Sequence, residues 1–164
     1  MAIAQGKPKV YLESSTISYL TARPTEEPIR KAKQILTRRW WEHREGFDLY
    51  ISQTVIDEIA DGDPQAAEAR LEITRKISLL EINEVIKPLA QALMRTGAIP
   101  MKSEADADHI AYSAVYGMDF LVTWNQKHIA ENVQRRLIEA VLLDSGFRLP
   151  RLWTPERHLL MMED

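Results

Sequence analysis

Short apolar runs and longer amphipathic stretches take turns along this chain. The runs at 9–12, 47–51, 79–82, 120–123 and 151–153 are brief and rich in Val, Ile, Leu, Phe and Tyr. That pattern predicts short buried strands. Between them, apolar positions recur at helical spacing. Ser14, Ser15 and Thr16 are placed to cap a helix through Ile17–Leu20. Ile29, Ala32, Ile35, Leu36, Trp40 and His43 fall near one face of a helix that Gly46 ends. Gln53 or Thr54 opens a short helix to Ala60, which Asp61-Gly62-Asp63-Pro64 breaks. Pro64 suits the first turn of the next helix, to about Ile77. Further helices are expected at 83–96, before Gly97, and at 103–116, where a Ser cap and early acids precede Gly117. A last one at 130–143 closes at Ser145-Gly146, and the tail from Pro155 reads as a weak helix.

Strands that alternate with helices predict an α/β layer with a mostly parallel sheet. No internal repeat or low-complexity tract interrupts it. The expectation is one domain over residues 1–164, with its core at about 9–159 and a weakly structured tail. Ligands of such sheets bind outside the carboxyl ends of the strands, near the point where strand order reverses.

The 164 residues suffice for a buried core, and 45% hydrophobic with 27% charged residues is globular composition. The net charge of −3 lacks the global basic signature of many nucleic-acid binders. A polyanionic substrate would therefore need local positive charge or a bound cation. There are no cysteines, which excludes disulfides and thiolate zinc sites and fits a cytoplasmic protein. No apolar run is long enough to span a membrane, and Met1 to Pro8 has no apolar core of a signal peptide.

Acids next to strand ends carry the chemical interest. Glu13 ends the first strand, Glu58 lies in the helix after the second, Asp106 and Asp108 open the helix before the fourth, and Asn125 follows the fourth. Carboxylates gathered at one sheet edge repel, and a divalent cation relieves that cost. Magnesium, with manganese as substitute, suits an all-oxygen site. Such a site polarises a phosphodiester and acidifies a water for attack at phosphorus. Taken singly, each acid reads as solvated surface, since the chain carries 24 of them.

Four segments in order carry a resemblance. Val10-Tyr11-Leu12-Glu13-Ser14-Ser15-Thr16, Ser52-Gln53-Thr54-Val55-Ile56-Asp57-Glu58-Ile59, Asp106-Ala107-Asp108-His109-Ile110-Ala111 and Phe120-Leu121-Val122-Thr123-Trp124-Asn125 resemble motifs of the PIN-domain family, specifically its VapC-type toxins. The ending Leu152-Trp153-Thr154-Pro155-Glu156 is also similar. The resemblance implies a three-layer α/β/α sandwich and magnesium-dependent cleavage of RNA. It implies a small antitoxin that covers the site, and often a homodimer. By the same resemblance Glu13, Glu58 and Asp106 are metal ligands, and Asn125 completes the catalytic set. Two positions depart from the pattern. Glu13 stands where most of the family has Asp, which moves the carboxylate outward by up to about 1.5 Å. Asn125 is a neutral, poorer ligand that can still bond a metal-held water.

The alternative is a module whose catalysis has weakened and which binds RNA or a protein partner without cleaving. A phosphate-binding domain of another kind would need a Gly-rich loop, and none is present. Of the neighbouring residues, Asp108 is expected in solvent, and His109 as a buried, hydrogen-bonded histidine beside Asp106. Ser14 and Ser15 are expected as caps. In Arg38-Arg39-Trp40-Trp41, one tryptophan is expected in the core and the arginines in solvent. Arg23, Lys102, Trp124, Lys127 and His128 flank the site loops and are candidates for the missing positive field.

Overall fold

A parallel sheet of five strands forms the centre of the molecule, in the order β3-β2-β1-β4-β5. The strands are β1 (Lys9–Leu12), β2 (Asp48–Ser52), β3 (Ser78–Leu80), β4 (Phe120–Val122) and β5 (Arg151–Trp153). The structure is a computed structural model and describes residues 6–126 and 132–163. Val10, Tyr11 and Leu12 of the central strand are all fully buried. A strand covered on both faces has no polar side to alternate with, which is why it reads as an unbroken apolar run.

The helices are α1 (Ser14–Thr21), α2 (Pro28–Glu42), α3 (Gln53–Ile59), α4 (Pro64–Thr74), α5 (Ile86–Arg95), α6 (Glu104–Val115), α7 (Asn132–Asp144) and α8 (Pro155–Glu163). They make the sheet the middle of an α/β/α sandwich, as expected. Each helix that was expected occurs, with ends shifted by a few residues; the opening of the one expected from Ala130 lies outside the described residues. Gly97, Gly117 and Gly146 all adopt positive φ after α5, α6 and α7, the conformation in which glycine ends a helix at least cost. None of the described helices is long and apolar enough to cross a membrane.

One reading of a helical face is corrected. Ile29 and Ile35 of α2 are exposed, whereas Gln34, Thr37 and Trp40 are buried. The inward face of α2 is thus partly polar, because its neighbours supply hydrogen bonds. The tail is a packed helix. Pro155, His158 and Leu159 of α8 are buried, and α8 lies against α2. Trp40 is fully buried while Arg38 and Arg39 stay at the surface, as the sequence suggested.

An aromatic cluster joins α2, β4, β5 and α8. Trp40 stacks on Phe47 at 5.3 Å, and His158 lies 4.6 Å from Phe120 and 5.1 Å from Phe47, between ring centroids. Trp40 Nε1 donates to His158 Nδ1 at 2.8 Å, so the imidazole must be neutral there. Burial pushes the His158 pKa down to about 4. In the unfolded chain it would titrate near 6.5, so between these values the unfolded state binds the extra proton. Stability is full above about pH 6.5 and falls as pH drops toward 4, by on the order of 2–3 kcal/mol from this group. Urea unfolding at pH 7 and pH 4.5 should show it. His158→Gln should flatten the difference, and an unchanged pH dependence in that variant would sink the assignment.

Candidate functional site

The chain runs from β1 outward through β2 to β3, then crosses to β4 and β5 on the other side. Strand order therefore reverses between β1 and β4. The crevice at their carboxyl ends is where an open parallel sheet presents its ligand site. Glu13 leaves β1 there, and its backbone N–H donates to Val122 O at the end of β4 at 3.2 Å. Glu13, Asp106, His109, Thr123 and Asn125 line one narrow cleft at this point. Glu58, on α3, reaches the same place by its hydrogen bonds to Ser14 and His109. Oxygens of Glu13 and Glu58 and a ring nitrogen of His109 all lie within 4.8 Å of one another.

Glu13 is also the N-cap of α1. Its Oε1 accepts from Ser15 N at 3.0 Å, from Thr123 Oγ1 at 2.7 Å and from the Ser15 hydroxyl, while Oε2 accepts from Ser14 Oγ at 2.8 Å. Ser14 and Ser15 were expected as caps and serve otherwise: their hydroxyls hold the capping carboxylate. Caps are commonly Ser, Thr, Asp or Asn, whose short side chains reach back directly. The extra methylene of Glu13 is taken up because the carboxylate folds back over its own helix and is gripped by three hydroxyls. Ser15 Oγ also accepts from Trp124 N at 3.0 Å, and Thr123 Oγ1 accepts from Asn125 N at 2.8 Å. The β4 end and the start of α1 are thereby laced together around one carboxylate.

Glu58 stands at the rim, its side chain 36% exposed. A single oxygen, Oε1, takes both His109 Nε2 at 2.6 Å and Ser14 Oγ at 3.1 Å. Burial raises the Glu58 pKa, but the hydrogen bond and charge of His109, with Ser14, outweigh it and hold the carboxyl below its ordinary value. His109 is the buried, bonded histidine that was expected. Burial alone would lower its pKa, yet the bond to Glu58 and the fields of Glu13, Glu58 and Asp106 raise it. Its Nδ1 lies 2.7 Å from the Tyr11 hydroxyl, itself 2.7 Å from Ser52 Oγ. Burial, opposed by the Ser52 bond and reinforced by Glu13 and Glu58, keeps the Tyr11 phenol protonated well above its ordinary range.

Asp106 and Asp108 take different sides of α6. Asp106 faces the cleft, whereas Asp108, expected in solvent, is buried at 5% exposure. Its Oδ2 accepts from Lys87 Nζ at 2.8 Å and Thr54 Oγ1 at 3.3 Å. The correction has a tertiary cause: α5 packs along α6 and carries Lys87 over the carboxylate. The Asp108 hydrogen bond in turn raises the Lys87 pKa. Asn125 is exposed at the mouth of the cleft. Lys127 and His128 lie outside the described residues.

Thr123 and Tyr11 are the participants that sequence reasoning passed over. Tyr11 had a visible signal, since it sits two residues before Glu13 and so shares its face of the strand. Tyr11→Phe should cost about 1–3 kcal/mol, because it orphans two buried partners, His109 Nδ1 and Ser52 Oγ. Denaturant titration checks this, and a loss below about 0.5 kcal/mol would mean that water replaces the hydroxyl.

The donor set fits a hard divalent cation. Carboxylates converge, and among the described residues no lysine or arginine forms an ion pair with Glu13 or Glu58. Ligating carboxylates are normally hydrogen-bonded in turn, the part that Ser14, Ser15 and Thr123 play for Glu13. His109 has both ring nitrogens engaged, so its geometry is that of an orienting group.

No family model and no curated protein matches this sequence. Solved structures match its fold. A chain of VapBC2 from Rickettsia felis, solved bound to a DNA fragment from its promoter, superposes with a TM-score of 0.52 at 12% identity, covering 89% of this chain and 98% of that one. A chain of VapBC-1 from nontypeable Haemophilus influenzae gives 0.53 at 16% identity, with 88% and 96% covered. The likeness spans nearly both chains, and the molecule has the PIN-like α/β/α fold of these neighbours.

Proposed function

We propose that this chain is a divalent-metal-dependent endoribonuclease of the PIN-domain family, a VapC-type toxin of a type II toxin–antitoxin pair acting in the cytoplasm. The observation that carries the reading is the approach of the Glu13 and Glu58 carboxylates beside His109, at a cleft that Asp106 and Asn125 also line. The fold likeness to chains of VapBC assemblies, over 88–89% of this chain, supports the toxin role, with a small antitoxin protein as partner.

Glu13, Glu58 and Asp106 would hold magnesium, or manganese in its place. When bound, the cation supplies charge to polarise the scissile phosphodiester and acidity to an attacking water. The protein's own part is positioning. Ser14, Ser15 and Thr123 fix Glu13, and Ser14 couples it to Glu58. His109, braced by Tyr11, fixes the Glu58 carboxylate and keeps it ionised. Asn125 stands at the mouth, where its amide can orient water or a substrate oxygen.

The test is a cleavage assay on mixed structured RNAs with magnesium or manganese, beside EDTA and the Asp106→Asn variant. Cutting should need the metal and fall by at least about 100-fold in the variant, since even residues behind metal ligands cost 10–100-fold. Folded protein, free of antitoxin, that cuts nothing with either ion would overturn the nuclease and leave a module that binds without cleaving.

A further inference from the structure

The crevice is acidic and the chain carries a net charge of −3, so a polyanionic strand must be held somewhere beside it. A basic and aromatic face adjoins the cleft, on α1, α2, the loop between them and Trp124 after β4. Tyr19 and Trp124 meet edge to face at 5.9 Å. Lys33 Nζ sits over both rings, 6.0 Å from Tyr19 and 5.4 Å from Trp124. Beside them a cavity of about 300 Å³ is lined by Tyr19, Arg23, Arg30 and Gln34, among others.

This face is built. Gln34 is 5% exposed, and its amide is spent on the loop: Nε2 donates to Arg23 O at 2.8 Å, and Oε1 accepts from Thr25 N at 3.4 Å. Arg38 also donates to Ala22 O at 3.3 Å. The loop that carries Arg23 is thus pinned to α2. Trp124 is fixed at both ends, by Nε1 to Thr37 Oγ1 at 2.8 Å and by its N–H to Ser15 Oγ. That same Ser15 hydroxyl grips Glu13. The aromatic platform and the crevice therefore share one hydrogen-bond chain.

Its cations are not locked in salt bridges, although Arg30 and Lys33 also act on the Glu27 carboxylate. Among the described residues Arg23, Arg30 and Lys33 form no ion pair. The nearby Glu27 caps α2, with its carboxylate accepting from Ile29 N and Arg30 N, and Glu26 pairs with Lys31. Rings for bases beside cations for phosphates are what single-strand binding requires. Stacking needs unpaired bases, since a duplex hides its base faces.

We infer that the Tyr19–Trp124–Lys33 face, with Arg23 and Arg30, is the subsite that holds single-stranded RNA next to the β1–β4 crevice. One base rests against the Tyr19–Trp124 pair, and flanking phosphates meet Arg23, Arg30 and Lys33. This rests on the ribonuclease reading and adds that the substrate enters unpaired across α1 and α2.

The experiment is fluorescence anisotropy of a labelled 12-nucleotide RNA without secondary structure, in EDTA so that binding is read apart from cleavage. Tyr19→Ala should weaken binding about tenfold. The double variant Arg23→Gln, Arg30→Gln changes only exposed side chains and should fold as the parent does. It should lower the slope of log affinity against log salt by about 1.4, the share of two phosphates on a single strand. A merely structural role would leave that slope alone. Parental affinity and slope in both variants, with RNA still bound and still cut by the parent, would overturn the subsite and spare the nuclease. Loss of binding to a protein partner with RNA affinity intact would do the same and mark the face as a protein surface. A parent that neither binds nor cuts RNA would remove the ribonuclease reading itself, and the subsite with it.

Discussion

Glu58→Gln is expected to lower metal-dependent RNA cleavage by at least about 100-fold while the protein stays folded. The amide keeps the shape of the side chain and can still accept from Ser14. It loses the negative charge that a cation and His109 both need. That charge, with Glu13 and Asp106, raises the His109 pKa against burial, so its loss lets burial favour the neutral imidazole. The substitution also relieves repulsion between Glu13 and Glu58, so the melting temperature should change by only a few degrees. Single-turnover cleavage and a circular-dichroism melt on the same preparation decide the matter. Cleavage at the parental rate would show that Glu58 is no part of a metal site.

The largest effect on stability is expected from Trp40→Ala, a loss of about 3–5 kcal/mol. Trp40 is fully buried, stacks on Phe47, and donates its indole N–H to His158. Alanine would open a cavity between α2, α8 and the sheet and leave the His158 nitrogen without a donor. Against a whole-domain stability of roughly 5–15 kcal/mol this is severe, and the melting temperature should fall by roughly 10 °C or more. Trp40→Phe should cost less, because it keeps ring packing and loses chiefly the hydrogen bond. If alanine costs no more than phenylalanine, water or repacking fills the site and the cluster is not the clamp of α8.

The two substitutions separate the parts of the molecule. Glu58 reaches the site beside Glu13 and His109 and its loss is read as chemistry, whereas Trp40 packs α2 against α8 and its loss is read as stability. The carboxylates of the crevice are held by hydroxyls and one imidazole. A single missing hydrogen bond there should shift a carboxylate without unfolding the chain.

The sequence by itself determined the alternation of strands and helices, because an unbroken apolar run and a 3.6-residue period are local properties. It also placed the helix stops at Gly97, Gly117 and Gly146, whose positive φ few other residues tolerate. The motifs marked Glu13 and Asn125 beside strand ends, Asp106 in the opening of a helix and Glu58 in the helix after the second strand, where the structure puts it in the last turn. Only the tertiary structure decided which polar groups are inside. Gln34 and Thr37 are buried in α2 while Ile29 and Ile35 face solvent, since Gln34 satisfies the backbone of a loop and Thr37 meets the Trp124 indole. Asp108 is buried because a lysine arrives from another helix. Periodicity reads polarity along one element and cannot see a partner far away in sequence. A buried polar group is stable only where such a partner stands. The Tyr11–His109–Glu58–Ser14–Glu13 chain of bonds is the same case, drawn from β1, α6, α3 and α1, and it exists only once the sheet has brought those elements to one edge.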